Sequence, residues 1–400
     1  MGTILCVYEF GAGLGHLNRL LAVAKSLADH RIIFAVPDLR LGTSLVHAKL
    51  GSAIEIRAGS SWPAPTDPKS RTVPTHTFAD VIRLFNFDKP ELLQRNVRHW
   101  EKTIQELKPD LIIADFAPAL RMASAKRIPT IVVGNGYSAP PAGMLLPPMR
   151  PWEDVVPPKS RANEGRVLTT VNEVQVAHNG SAVDFFADLF QGDQTFVCTL
   201  AEFDPYRRFR TGPLSWPFNI PVMNSGPAFD ERSGPDVFVY LPSNHPFLPG
   251  VLEAMSHLGR RVQVYVQGAD PQAVARRCGA TVGVHTKPAP FDQLLPQTRL
   301  ILHHAGLGTA YAGLAAGVPQ LVIPLNLEHL ITCVGLEAFG VAQKLSVKPQ
   351  PTRHQLVEIC TQALDNQDRK QAALLSASTL AARRVENPTG DIVNASQRYL

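Results

Sequence analysis

The stretch 300-LILHHAGLGTAYAGLAAGVPQLVIPLNLEH-329 decides how this chain folds. Leu300–His303 reads as a buried strand, His304–Gly308 as a glycine-rich turn and Thr309–Ala316 as a helix. Gly317-Val318-Pro319 stops the helix, Gln320–Pro324 reads as a second buried strand, and a loop then ends in Glu328 and His329. Short apolar runs flanking a helix make a βαβ unit, whose functional loops lie at the C-terminal ends of its strands. A turn that opens a helix offers free N–H groups and the positive end of the helix dipole, and both favour an anion. Gly306 and Gly308 let a ligand come close to the backbone. His304 can donate to a phosphate and neutralise it, while Glu328 and His329 suit hydroxyl groups. A phosphate clamp followed by a polyol clamp points to a sugar nucleotide.

The run His304-Ala305-Gly306-Leu307-Gly308-Thr309, with Gly317-Val318-Pro319 after it and Pro290-Phe291-Asp292-Gln293-Leu294-Leu295-Pro296 before it, resembles the donor motif of nucleotide-sugar-dependent glycosyltransferases of the GT-B fold. It is most similar to the bacterial natural-product branch and to the plant and animal UDP-sugar enzymes. Ala305 stands where that family usually has its first glycine, and His329 where it usually has glutamine. The resemblance implies an α/β chain with two Rossmann-like parallel-sheet domains facing a cleft. It assigns donor contacts to Gly15, Ser243, His304, Gly306, Gly308, Thr309, Glu328 and His329. Lys287-Pro288-Ala289 bring no ring to stack on a base, which leaves UDP and TDP both open.

Length and composition agree with such a protein. Four hundred residues suffice for two domains with separate cores. An apolar content of 45% with 18% charged residues is that of a globular chain. No apolar run approaches the roughly 20 residues of a membrane span, and MGTILCVYEF reads as a first strand and not a signal peptide. Five scattered cysteines lack metal or redox spacing and fit a cytoplasmic protein with reduced thiols. A net charge of +5 without a dense basic run argues against nucleic acid, leaves a peripheral membrane contact open, and says nothing of oligomerisation.

The N-terminal half begins with a strand, Thr3–Tyr8, and the loop Phe10-Gly11-Ala12-Gly13-Leu14-Gly15-His16. A core-facing helix then carries Leu17, Leu20, Leu21, Ala24, Leu27 and Ala28 at helical spacing. A dinucleotide fingerprint would need glycine where His16 stands, which argues against a redox Rossmann reading. At the mouth of a βα loop, His16 can instead take a proton from an attacking hydroxyl. Asp115 closes the apolar strand Leu111-Ile112-Ile113-Ala114 on the same sheet edge and can set its tautomer. The family resemblance implies these same roles, base and orienting acid. Two long irregular stretches, 59–86 and 138–160, would line an acceptor pocket, with Phe10, Phe78 and Phe85 as acceptor-binding rings.

Loss of periodicity places a linker at 213–235, between an acceptor-binding domain, 1–212, and a donor-binding domain, 236–380. A terminal helix, 381–400, is expected to pack back on the N-terminal domain, as in the resembled family. No acidic pair stands where a metal would be held, His303 is expected to turn into the core, and no cofactor is implied beyond the nucleotide-sugar co-substrate. The expected function is inverting, metal-independent transfer of a hexose from a UDP- or TDP-sugar to a hydroxyl of a small, apolar or lipid-like acceptor. Two alternatives share the fold. One is a nucleotide-sugar hydrolase or epimerase, which Arg19 in the first loop's helix also resembles; the other is a non-catalytic sugar-nucleotide-binding homologue.

Overall fold

Two six-stranded parallel sheets carry the chain. The computed structural model describes residues 1–11, 14–63, 74–125, 127–223, 232–346 and 350–400. Ala12 and Gly13 of the first glycine loop, part of the 59–86 stretch and part of the 213–235 linker therefore lie outside the described residues.

The first sheet is ordered β3-β2-β1-β4-β5-β6. Its strands are β1 (Thr3–Tyr8), β2 (Arg31–Val36), β3 (Glu55–Ala58), β4 (Leu111–Asp115), β5 (Thr130–Gly134) and β6 (Gln194–Val197). The second sheet, β12-β11-β10-β7-β8-β9, comprises β7 (Val237–Pro242), β8 (Val262–Gln267), β9 (Val282–Val284), β10 (Leu300–His303), β11 (Gln320–Val322) and β12 (Ala342–Lys344). The central strands are buried on both faces, which explains their unbroken apolar runs: β4 and β5 expose nothing.

In each sheet the chain winds outward, then crosses back and winds the other way. That reversal puts β1 beside β4, with Tyr8 paired to Asp115, and β7 beside β10, with Tyr240 paired to His303. The loops leaving such neighbours part to opposite faces and leave a crevice at the strands' C-terminal ends, the usual ligand position in open α/β sheets.

Contacts divide the chain into a first unit, 1–218 plus 386–400, and a second unit, 219–385. The last helix, Gly390–Ser396, buries Ile392 and Ala395 in the first unit's core, with Tyr399 and Leu400 packed against it. The helix Gln367–Arg383 belongs to the second unit, so the chain's return starts nearer residue 386 than 381. Among the described residues no helix is long and apolar enough to cross a membrane.

Candidate active site

The first unit's crevice holds His16 and Asp115. The first helix, α1 (Leu14–Lys25), buries Leu17, Leu20, Leu21 and Ala24, while His16, in its first turn, stays partly exposed. Leu27 is buried and Ala28 exposed beyond the helix end. Asp115 ends β4 and is fully buried. His16 Nδ1 lies 3.0 Å from Asp115 Oδ1, an ion-pair contact and not a straight hydrogen bond. The other carboxylate oxygen accepts from Arg19 Nε at 2.6 Å, and Arg19 Nη2 lies 2.9 Å from His16 Nδ1. Burial raises the Asp115 carboxyl, but Arg19 and His16 outweigh it and hold the group below the usual aspartate range. Tyr8 stacks on the imidazole with centroids 5.9 Å apart.

Gly11 makes room for that ring. Its φ is +105°, and a Cβ added there would overlap Cδ2 and Nε2 of His16. Gly11 thus serves the histidine by leaving room beside the edge of the ring that carries Cδ2 and Nε2. Gly15, assigned to the donor, is exposed, and a Cβ there would meet only Arg19 Nη1, at 3.9 Å.

Behind His16 the rings form a packed aromatic layer. Phe10 meets Trp62, Phe85 and Phe116 with centroids 4.9–5.0 Å away, and Phe78 meets Phe116 and Phe190. Phe10 is 2% exposed and Phe78 not at all. The expectation of acceptor-contacting rings is corrected for these two, which support the layer from within. Phe85 and Trp62 are half-buried and keep open edges. Phe116, directly after Asp115, adopts φ +51°, a costly conformation for a bulky residue, of a kind that gathers at functional sites.

Glu9 carried no signal in the sequence. It is 3% exposed, and its carboxylate accepts from Leu120 N at 2.6 Å and Trp62 Nε1 at 3.1 Å. Burial pushes it up to about 8 against those donated hydrogen bonds. It ties the loop after β1 to the helix Pro118–Ser124 and to Trp62.

In the second unit the crevice lies between the loops after β7 and β10. The glycine turn opens the helix Leu307–Ala315, two residues earlier than the sequence suggests, with Gly306 as its N-cap. No side chain caps that first turn, so its N–H groups face outward, as an anion requires. Thr309 is nearly buried in it, Gly308 is exposed, and a Cβ on Gly308 would meet nothing within 4 Å. A Cβ on Gly306 would come 3.1 Å from His304 Nε2. Here too a glycine gives room to a histidine. Ala305 holds φ +64°, so the residue replacing the usual glycine adopts the glycine's conformation at a cost.

The four nearby histidines differ in role. His303 is wholly buried, with Nε2 2.8 Å from Gln320 Oε1 and Nδ1 accepting from Ala305 N, which braces the turn. His245 is buried between Ile323 O and Phe247 N and pins the loop after β7 to the end of β11. His304 and His329 face each other, rings 4.9 Å apart, and His304 also meets the Tyr240 ring. Burial lowers His304 to about 4 and His329 to about 3, aided by the neighbouring histidines. The unliganded His304 is therefore neutral at neutral pH. What it offers a phosphate in that state is a hydrogen bond, and neutralising the phosphate requires a proton taken up with the ligand.

Glu328 and His329 lie in the first turn of the helix Leu327–Ala338, not in a loop. Asn326 caps that helix by accepting from His329 N at 3.0 Å, a start signal legible in Asn326 followed by an apolar-periodic run. His329 Nδ1 accepts from Leu325 N, leaving Nε2–H as its free donor. Ser243 is exposed just after β7, its N–H bonded to Gln267 O. Tyr240, Tyr265 and Phe291 form a half-buried aromatic group beside it, which the sequence reading did not single out. Among the described residues no group of three or more His, Cys, Asp or Glu is placed to hold a metal ion.

Known proteins fit this architecture. Residues 270–395 match the C-terminal domain of erythromycin biosynthesis protein CIII-like proteins. L-demethylnoviosyl transferase of Streptomyces niveus is 22% identical over 83% of this chain and 83% of its own length. The calicheamicin glycosyltransferase CalG4 superposes with a TM-score of 0.66 at 16% identity, covering 100% of this chain and 98% of its own. VinC, solved in complex with DTDP, superposes at 0.65 and 17% over the full length of both chains. These superpositions and the two parallel sheets give the chain the fold of the GT-B glycosyltransferases. Its sequence is similar to that of the S. niveus transferase, and residues 270–395 are similar to the EryCIII-like C-terminal domain.

Proposed function

We propose that this protein moves a hexose from a UDP- or TDP-sugar to a hydroxyl of a small apolar acceptor, with inversion and without a metal. The observation that carries this reading is the His16–Asp115 pair at 3.0 Å in the first unit's crevice. A binding module has no use for a buried aspartate aimed at an imidazole. That VinC was solved with DTDP, and that the S. niveus relative is a transferase, support a nucleotide-sugar donor.

In this reading the diphosphate rests on the open N–H groups of residues 307–309, with the hydroxyls of Thr309 and Ser243 and a hydrogen bond from His304. A bound diphosphate also draws a proton onto His304, so charge builds on the imidazole as it builds on the leaving group. Glu328 accepts from the sugar hydroxyls, and His329 donates through Nε2–H. His16 receives the acceptor's proton on Nε2, past Gly11, while Asp115 holds Nδ1. The hydroxyl oxygen bonds to the anomeric carbon, the bond to the diphosphate breaks on the opposite face, and the configuration inverts.

The test incubates the protein with UDP- and TDP-sugars and a panel of small apolar phenols and alcohols. Released nucleoside diphosphate and the anomeric configuration of the product are then read. Acceptor-dependent release with an inverted product is expected. Free sugar formed at the same rate without any acceptor would make the protein a hydrolase, and retained configuration would overturn the single-displacement mechanism.

A further inference from the structure

Arg19 lies one turn after His16 on α1 and is 5% exposed. Both side chains converge on one buried carboxylate, Arg19 through Nε on Oδ2 at 2.6 Å and His16 through Nδ1 near Oδ1 at 3.0 Å. Arg19 Nη2 sits 2.9 Å from that same Nδ1. A guanidinium keeps its protons, so Nη2–H can bond only to a bare Nδ1, whereas Oδ1 needs a protonated one. The two neighbours pull the tautomer in opposite directions. Oδ1 is buried and has no hydrogen bond of its own, and a carboxylate oxygen without a donor is the costlier defect. The proton therefore belongs on Nδ1, which frees the Nε2 lone pair beside Gly11.

We propose that Arg19 is a positioning residue for the base: by holding Oδ2 through Nε it turns Asp115 so that Oδ1 faces Nδ1 of His16. This rests on His16 being the base.

The test measures kcat and donor KM for transfer to 4-methylumbelliferone in Arg19→Gln and Arg19→Lys beside the parent, with folding checked by thermal midpoint and UDP and TDP affinity by calorimetry. Both variants are expected to lose at least about tenfold in kcat while donor KM and nucleotide affinity hold, and the Lys variant, which keeps one donor for Oδ2, loses less. In a His16→Gln background the same Arg19 changes should cost almost nothing, because Arg19 acts only through the base. If the Gln variant does not fold, the Lys variant carries the same comparison. Parent kcat in a folded Arg19 variant, or an equal loss from that variant in the His16→Gln background, would overturn the proposal. Failure of His16 as base would show separately, as unchanged transfer in His16→Ala.

Discussion

A single methyl group at Gly11 is expected to disable the base while leaving the donor turn intact. Gly11→Ala would set a carbon against Cδ2 and Nε2 of His16, far inside van der Waals contact. The backbone cannot yield cheaply, because φ of +105° already costs an L-residue about 1–3 kcal/mol. The ring must swing away, and its 3.0 Å approach to Asp115 is lost. Asp115 keeps Arg19 at 2.6 Å, so its buried charge stays paired and the unit still folds. Loss of a positioned general base predicts a fall in kcat of about 10²–10⁴. Nucleotide affinity, which the proposed reading places in the second unit, should stay within about a factor of two. The assay pairs transfer at saturating donor with calorimetric UDP or TDP binding. Combining Gly11→Ala with His16→Ala should add almost nothing, because both remove the same group. A folded Gly11→Ala protein with parent kcat would refute the placement of Nε2 in the reaction.

Three further outcomes follow from the geometry. Ala305→Gly relieves a residue held at φ +64°; subtracting glycine's extra chain entropy from the left-handed penalty leaves a gain of up to about 1 kcal/mol, and a lower thermal midpoint in the variant would contradict it. Glu328→Gln should raise the donor KM or lower kcat while UDP and TDP alone bind as before, if the carboxylate contacts the sugar as proposed; equal kinetics would remove Glu328 from the site. Glu9, pushed up to about 8 from an unfolded value near 4.5, contributes stability that is complete below 4.5 and lost as pH rises through 8. Glu9→Gln should therefore flatten the decline in thermal midpoint between pH 6 and 9, and an unchanged slope would show that the carboxyl is ionised throughout.

The fold was legible because parallel strands buried on both faces write themselves as apolar runs, as in Leu111–Ala114 and Leu300–Leu302. The edge carrying His16 and Asp115 followed from the same pattern, since loop residues after parallel strands share one end of the sheet. Features set by packing were not legible. Phe10 and Phe78 look like pocket rings from their loops, yet the neighbouring aromatics absorb both, among them Trp62, Phe85 and Phe116 for Phe10 and Phe116, Tyr137 and Phe190 for Phe78. Arg19 reads as a polar helix residue until β4 brings Asp115, 96 positions away, to its guanidinium. The charge state of His304 depends on burial and on His245, which no local sequence signal encodes. The helix that carries Glu328 is legible, because Asn326 before an apolar-periodic run is a start signal.

The most direct measurement of the central claim is the transfer rate of His16→Ala against the parent, alongside the affinity of each for UDP and TDP. The account predicts a fall of at least about 10² in transfer with nucleotide binding preserved. Parent-like turnover in a folded His16→Ala protein would contradict it.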